Sequence, residues 1–273
     1  MTDSALHPSL AAALRVLDSE ATAIRNLMER VNALFLQAVD LAEGCRGKIA
    51  VTGLGKSGII CKKIAATLSS TGSPAFFLHA ADALHGDCGL LGSEDILLAV
   101  SKSGETYEIL QVLHVSKRLG LPVIALVGDR DSSLARFADV CLDVSVGEEP
   151  CPLGMAPTAS TAAALAMGDA LAIALMERKG FGKEDFASLH PAGSIGKKLL
   201  RIGELMHKGD AIPRVLFSAR MPEVICEMSS KTLGMTTVVD AKGDLVGVIS
   251  DGDLRRLLEQ EPDPLKLSAD RVM

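Results

Sequence analysis

The chain's 273 residues suffice for one sizeable domain and a smaller companion, and a formal charge of -6 with no basic run excludes a nucleic-acid-binding surface. Apolar residues make up 48% and aromatic ones only 3%, with no Trp, so the core must be aliphatic and alanine-rich. That composition suits an α/β protein, whose buried strands read as Val/Ile/Leu/Ala runs.

The opening "MTDSALHPSLAAALRVLDSEA" has no basic n-region and carries early acids, so it reads as a helix and not as a targeting segment. With no such segment ahead of them, the cysteines at 45, 61, 88, 141, 151 and 226, which lack CxxC spacing, read as reduced thiols in the cytoplasm. An amphipathic helical leader is predicted over roughly residues 9 to 43. Strand "KIAVTG", helix "SGIICKKIAATLSS", strands "PAFFLH" and "DILLAVS", helix "TYEILQVLHVSKRLG", strand "PVIALVG", short helix "SSLARFA" and strand "VCLDVSV" follow. Such alternation predicts a parallel sheet with both faces covered. The stretch "ASTAAALAMGDALAIALM", 159 to 176, is about as long as a membrane span, but Gly168, Asp169 and the many alanines point to a buried helix. No membrane partner is expected. "GFGKEDFASLHPAGSIGKKLL" is broken by Gly and Pro, and from about Glu204 the pattern becomes β-α-β-β-α, a unit small for independent stability.

Two turns carry chemistry. Gly53-x-Gly55-x-x-Gly58 formally satisfies the dinucleotide fingerprint in the right strand–turn–helix context. The acidic residue that would hold a ribose is missing, however: His79 stands at the tip of the second strand and Asp82 follows three residues later. A P-loop fails on spacing, because the required glycine position is Ala50. The third strand repeats the design with Ser101-Lys102-Ser103-Gly104-Glu105-Thr106 ahead of a helix. Two serine-bearing turns at strand C-termini of one parallel sheet face one crevice. Their hydroxyls and N–H groups suit a phosphate monoester. Either turn alone would serve equally as an N-cap.

"VTGLGKSG", "FFLHAADALHGDCG", "AVSKSGETYEI", "EEPCPLGMAPTASTAAALAMGDALA" and "DFASLHPAGSIGKKL" closely resemble the arabinose-5-phosphate isomerases, from about residue 40 onward. The resemblance implies a sugar-isomerase (SIS) fold, a three-layer α/β/α sandwich around a parallel sheet, followed by a small α+β CBS module. It divides the chain into a helical leader (1–39), a SIS domain (40–183), an active-site tail (184–203) and a first CBS module (204–273); the family's second module, which starts at "DRVM", is absent from the sequence. The implied reaction interconverts D-ribulose 5-phosphate and D-arabinose 5-phosphate through an enediol, the first step of Kdo biosynthesis for lipopolysaccharide. The implied partners are a sugar phosphate, three further copies in a homotetramer, and a nucleotide effector at the CBS module through Asp253.

Isomerisation needs a base for the C1/C2 proton and an acid or cation for the developing oxyanion, and requires no cofactor. By resemblance, Lys56 supplies positive charge, Glu108 or Glu149 is the base, and His190 relays protons or opens the ring, plausibly from a neighbouring subunit. Ser57, Ser101, Ser103 and Thr106 hold phosphate, while His85, Gly72, Ser73, Gln111, Ser145, Val146 and Gly147 map to sugar-binding positions. His79, His85, Asp87 and Cys88 form a cluster with ligand chemistry, but structural zinc asks for tighter pairings. The resemblance implies that His79 takes part in an inhibitory zinc site. Cys151 is assigned to packing. The rival reading is a sugar-phosphate-sensing regulator without catalysis, which would need a helix-turn-helix that the short acidic leader does not supply. An NAD-dependent oxidoreductase is a more distant third.

Overall fold

Five short aliphatic strands form the sheet of the larger unit: β1 (Ile49–Gly53), β2 (Ala75–His79), β3 (Ile96–Ser101), β4 (Val123–Val127) and β5 (Val140–Asp143). All pair in parallel, in the order β2-β1-β3-β4-β5. The computed structural model describes residues 7–190 and 202–273 and divides into two compact units, Met1–Leu199 and Leu200–Met273. The "HPAGSIGKKL" tail beyond His190 lies outside the described residues.

β1, β3 and β4 are buried along their whole length, which is why they read as continuous apolar runs. Successive side chains point to opposite faces of the sheet. Val51, Leu98, Ile124 and Leu126 therefore join one core, while Ala50, Leu97, Ala99, Val123 and Val127 join the other. The first core is closed by α1 (Pro8–Leu27), α2 (Ala33–Glu43), α3 (Gly55–Ser70) and α7 (Ala159–Arg178); the second by α4 (Ala80–Ala83), α5 (Tyr107–Leu119) and α6 (Ser133–Phe137). A short α8 (Lys183–Leu189) follows α7.

Among the described residues α7 is the one helix long and apolar enough to cross a membrane, and it is packed into the first core through Ala163, Met167, Leu171 and Leu175. A methyl group at Gly168 would run into the side chain of Ile64, so the glycine sets the close approach of α3 to α7. On the open side Asp169 accepts Lys63 Nζ at 2.5 Å.

The leader departs from the single helix predicted over 9 to 43. α1 ends at Leu27, a 3-10 turn spans Met28–Arg30, and Val31 is extended with ψ 94°. Asn32 then restarts the helix as an N-cap, its side chain accepting the Leu34 N–H at 2.9 Å. The leader is also part of the larger unit's core, through Ala23, Leu27, Phe35, Ala38, Val39 and Ala42. β5, predicted through Val146, stops at Asp143, whose carboxylate accepts the Ser145 N–H at 2.8 Å and turns the chain into a loop.

The smaller unit follows the predicted β-α-β-β-α order: β6 (Arg214–Leu216), α9 (Met221–Lys231), β7 (Met235–Val239), β8 (Leu245–Ser250) and α10 (Asp251–Gln260). β6 is parallel and β8 antiparallel to the central β7, over a core that includes Val215, Met221, Val224, Val238 and Ile249. Ser250 and Asp253 cap α10 reciprocally, with Asp253 Oδ2 accepting the Ser250 N–H at 2.8 Å.

Leu98 is fully buried at the centre of the sheet, between Val51 and Ile124. Leu98→Ala should lower unfolding stability by about 2–5 kcal/mol, read as an earlier urea midpoint with an unchanged slope.

Candidate active site

β1 and β3 are neighbours, but β1 leads on to β2 on one side and β3 leads on to β4 on the other. The helices that follow them go to opposite faces, α3 to the first core and α5 to the second. A crevice therefore opens beyond their C-terminal ends, at the place where the strand order reverses. It holds a cavity of about 410 Å³ lined by Leu54, Ser57 and Ile60 at the head of α3 and by Ser101, Lys102, Ser103 and Thr106 after β3. Gly128, Val146, and Pro157, Ser160 and Thr161 at the head of α7 add to the lining.

Leu54 before α3 and Thr106 before α5 make no side-chain capping bond, which leaves first-turn N–H groups for an anion. The β3 turn is shaped by Gly104, whose φ of 65° favours glycine and whose added methyl would strike the side chain of Ser132. Ser101 Oγ accepts the Gly104 N–H at 3.0 Å and lies 3.1 Å from Thr106 Oγ1. Ser103 Oγ accepts the Glu105 N–H at 3.2 Å, and Glu105 Oε1 accepts the Ser133 N–H at 2.6 Å. Ser101 thus builds the turn as well as facing the cavity.

Glu149 is buried, its carboxylate side chain only 1% exposed. It accepts Lys102 Nζ at 2.7 Å, the Thr158 N–H at 2.9 Å and the Ser160 hydroxyl. Burial alone would push this carboxyl up; the bonds from Lys102, Ser160 and Thr158 outweigh it and hold the pKa down at about 2. Glu149 does not itself line the cavity and reaches it through Lys102 and Ser160.

The structure thus brings Ser57, Ser101, Ser103, Thr106 and Val146 together around one space. Lys56 is exposed in the first turn of α3, Glu108 is half-buried in the first turn of α5 and Gln111 lies one turn further along; none of the three lines the cavity. Ser145 and Gly147 border a neighbouring cavity against α1, with Val146 shared between the two. Arg30 secures that loop by donating to the Ser145 carbonyl at 2.6 Å.

Gly72 and Ser73 lie at the other end of the sheet, before the first residue of β2, which is level with the start of β1. Gly72 packs against Phe181, and Ser73 Oγ accepts Lys179 Nζ at 2.8 Å. His190 follows α8, which begins past the far end of α7, a 20-residue helix about 30 Å long. Its ring stacks on Phe186 with 3.9 Å between centroids, and its Nδ1 is 2.8 Å from the Phe186 carbonyl. These three residues do not join the crevice of their own chain.

His85 is exposed after α4. His79 Nδ1 stands 3.3 Å from Asp82 Oδ2, and among the described residues no three His, Cys, Asp or Glu side chains converge. His79, His85, Asp87 and Cys88 therefore do not come together as one ligand cluster. Cys151 does more than pack: its sulfur accepts the N–H groups of Met155 and Ala156, each at 3.2 Å, and folds the turn that leads into α7.

Lys102, Ser160 and Thr161 line the cavity and Thr158 helps hold Glu149, although the sequence reading gave none of them a role. A signal was present in "PTAST", a third hydroxyl-rich helix head of the kind seen after β1 and β3.

Residues 44–174 match the family model of the SIS domain. The chain is 46% identical to arabinose 5-phosphate isomerase KdsD of Pseudomonas aeruginosa over 263 residues, 96% of this chain and 81% of that protein. It is 46% identical, over 96% of its length and 80% of the relative's, to the KdsD of Escherichia coli K12. Among solved structures, an Escherichia coli CFT073 protein in complex with A5P is 37% identical, with a TM-score of 0.65, covering 68% of this chain and 100% of its own.

The depressed pKa of Glu149 has a definite sign. Its stabilising contribution is complete above the ordinary carboxylate value of 4.5 and is lost as pH falls through about 2. Urea midpoints across that range should show wild type losing on the order of 3 kcal/mol more than Glu149→Gln.

Proposed function

The chain belongs to the arabinose 5-phosphate isomerases of the SIS-domain family, and we propose that its crevice interconverts D-ribulose 5-phosphate and D-arabinose 5-phosphate. The observation that carries the reading is the meeting of three hydroxyl-bearing helix heads, α3, α5 and α7, around one cavity at the sheet's switch point. The N-termini of α3 and α5 present N–H groups and the positive ends of two helix dipoles to a phosphate. Ser57, Ser103 and Thr106 add hydroxyls beside them.

Once the phosphate is held, a base takes the proton from the carbon next to the carbonyl, the enediol forms, and the proton returns to the other carbon. Glu149 is already engaged by Lys102, Ser160 and Thr158, so we assign the base to Glu108, which does not line the cavity and would have to turn in from the first turn of α5 to reach the carbon. Lys56, exposed beside Ser57, adds positive potential at the substrate.

Gly72 and Ser73 stand at the end of the sheet opposite the crevice, and His190 follows α8, which begins beyond the far end of α7. We assign them to the crevice of a neighbouring copy in a homotetramer, where His190 would relay protons or open the furanose ring. The free thiols, among them Cys61, which burial pushes up to about 12, suit the reducing cytoplasm in which we place the reaction. Its product would be the precursor of Kdo. The smaller unit is assigned the nucleotide-sensing role of a CBS module; a ribose there would have to replace the cap between Ser250 and Asp253.

An NMR assay of both pentose phosphates tests the reading. Wild type should interconvert them, and Glu108→Gln should lose about 100-fold or more in kcat. Binding without turnover by wild type would favour a sugar-phosphate sensor. Mixing inactive Glu108→Gln and His190→Ala subunits should restore activity that neither has alone; no recovery after mixed refolding would reject the shared site.

A further inference from the structure

One charged pair at the crevice is left without a part in this chemistry. Lys102 comes from the turn after β3, yet its ammonium bonds Glu149, which is itself bonded to the head of α7. Glu149 draws it there, at 2.7 Å, and is itself fixed by Ser160 and the Thr158 N–H. The two partners differ sharply in access: the Lys102 side chain is 49% exposed and lines the cavity, while that of Glu149 is 1% exposed and lies behind the wall. A buried carboxylate with three donors stays in place, and the lysine it holds is the part a ligand meets.

A pentose phosphate whose phosphoryl group sits on the α3 and α5 heads must lay its carbonyl end across the cavity. The cavity lining there includes Ser160 and Thr161 of α7, and Lys102, whose ammonium is drawn to Glu149 beside the head of α7. We propose that Lys102 is a further catalytic residue, whose ammonium, aimed by Glu149, hydrogen-bonds the carbonyl oxygen of the open-chain sugar and holds the enediolate oxyanion. Lys102 keeps its proton throughout; the charge that develops on oxygen is met by a donor already in position, which costs no reorganisation at the moment of reaction. Glu149 is the positioning residue, ionised throughout the neutral range and so supplying a constant charge. The inference rests on the isomerase reading above.

Kinetics of Lys102→Met, Glu149→Gln and the double variant test it, with folding checked by circular dichroism. Lys102→Met should lose at least about 100-fold in kcat, while KM and competitive inhibition by inorganic phosphate stay within about threefold. Glu149→Gln should lower kcat with the same split, and the double variant should lose no more than Lys102→Met alone, because both changes remove one device. The double variant carries no unpaired buried charge, so it serves where the single lysine change costs the fold.

A Lys102→Met or double variant that keeps wild-type kcat overturns the proposal. So does a loss confined to KM and phosphate inhibition, which would move the ammonium to the phosphate. A wild type that turns over neither pentose phosphate instead overturns the isomerase reading itself, and this role with it.

Discussion

The reversal of strand order between β1 and β3 is the constraint from which the site follows. Two parallel neighbours whose chains depart to opposite faces leave a gap at their C-terminal ends that neither helix layer covers. Because each strand runs straight into a helix, the gap is walled by helix beginnings, with N–H groups left over and partial positive charge. An anion is the ligand such a wall favours before any side chain is specified. The serines and threonines then narrow the choice, since several neutral donors around one point match the three oxygens of a phosphoryl group.

Neutral donors bind a phosphate but do little for a carbonyl, and the opposite wall supplies what they lack. A carboxylate buried as fully as Glu149 would be destabilising without partners; here Lys102, Ser160 and the Thr158 N–H satisfy it together. Those partners come from two elements far apart in sequence, the β3 turn and the head of α7, so the ion pair also ties the two walls together. The fold thereby converts a costly buried charge into a fixed direction for an otherwise flexible lysine.

The sheet was legible in the sequence because fully buried parallel strands must be uniform, and runs such as "ILLAVS" and "VIALV" admit few other readings. The turns after β1 and β3 were legible because glycine and hydroxyl residues between a strand and a helix have few other reasons to cluster. The break in the leader was not: "MERVNALF" keeps helical periodicity through Asn32, and only the packing of α1 and α2 into one core shows where the chain must bend. The Lys102–Glu149 pair was hidden for a different reason. Each residue was visible in its own motif, but 47 positions separate them, and their meeting depends on how α7 returns to the crevice. Nor does anything in "GEEPCPLG" say that the Glu149 side chain is buried behind the cavity wall.

The same geometry explains why some residues with site chemistry stand outside the crevice. α7 starts at the cavity and ends beside Lys179 and Ser73, so any segment that follows it begins at the wrong end of its own sheet. His190 on that segment has its Nδ1 beside the Phe186 carbonyl and its ring stacked on Phe186, an arrangement that fixes the imidazole without spending it on chemistry. The crevice at the head of α7 and the stacked histidine beyond its end are thus kept apart by the 20 residues of that helix. If His190 serves the chemistry proposed for it, closed rotational symmetry is the economical way to bring it to a crevice, since every crevice would then meet the far end of another copy.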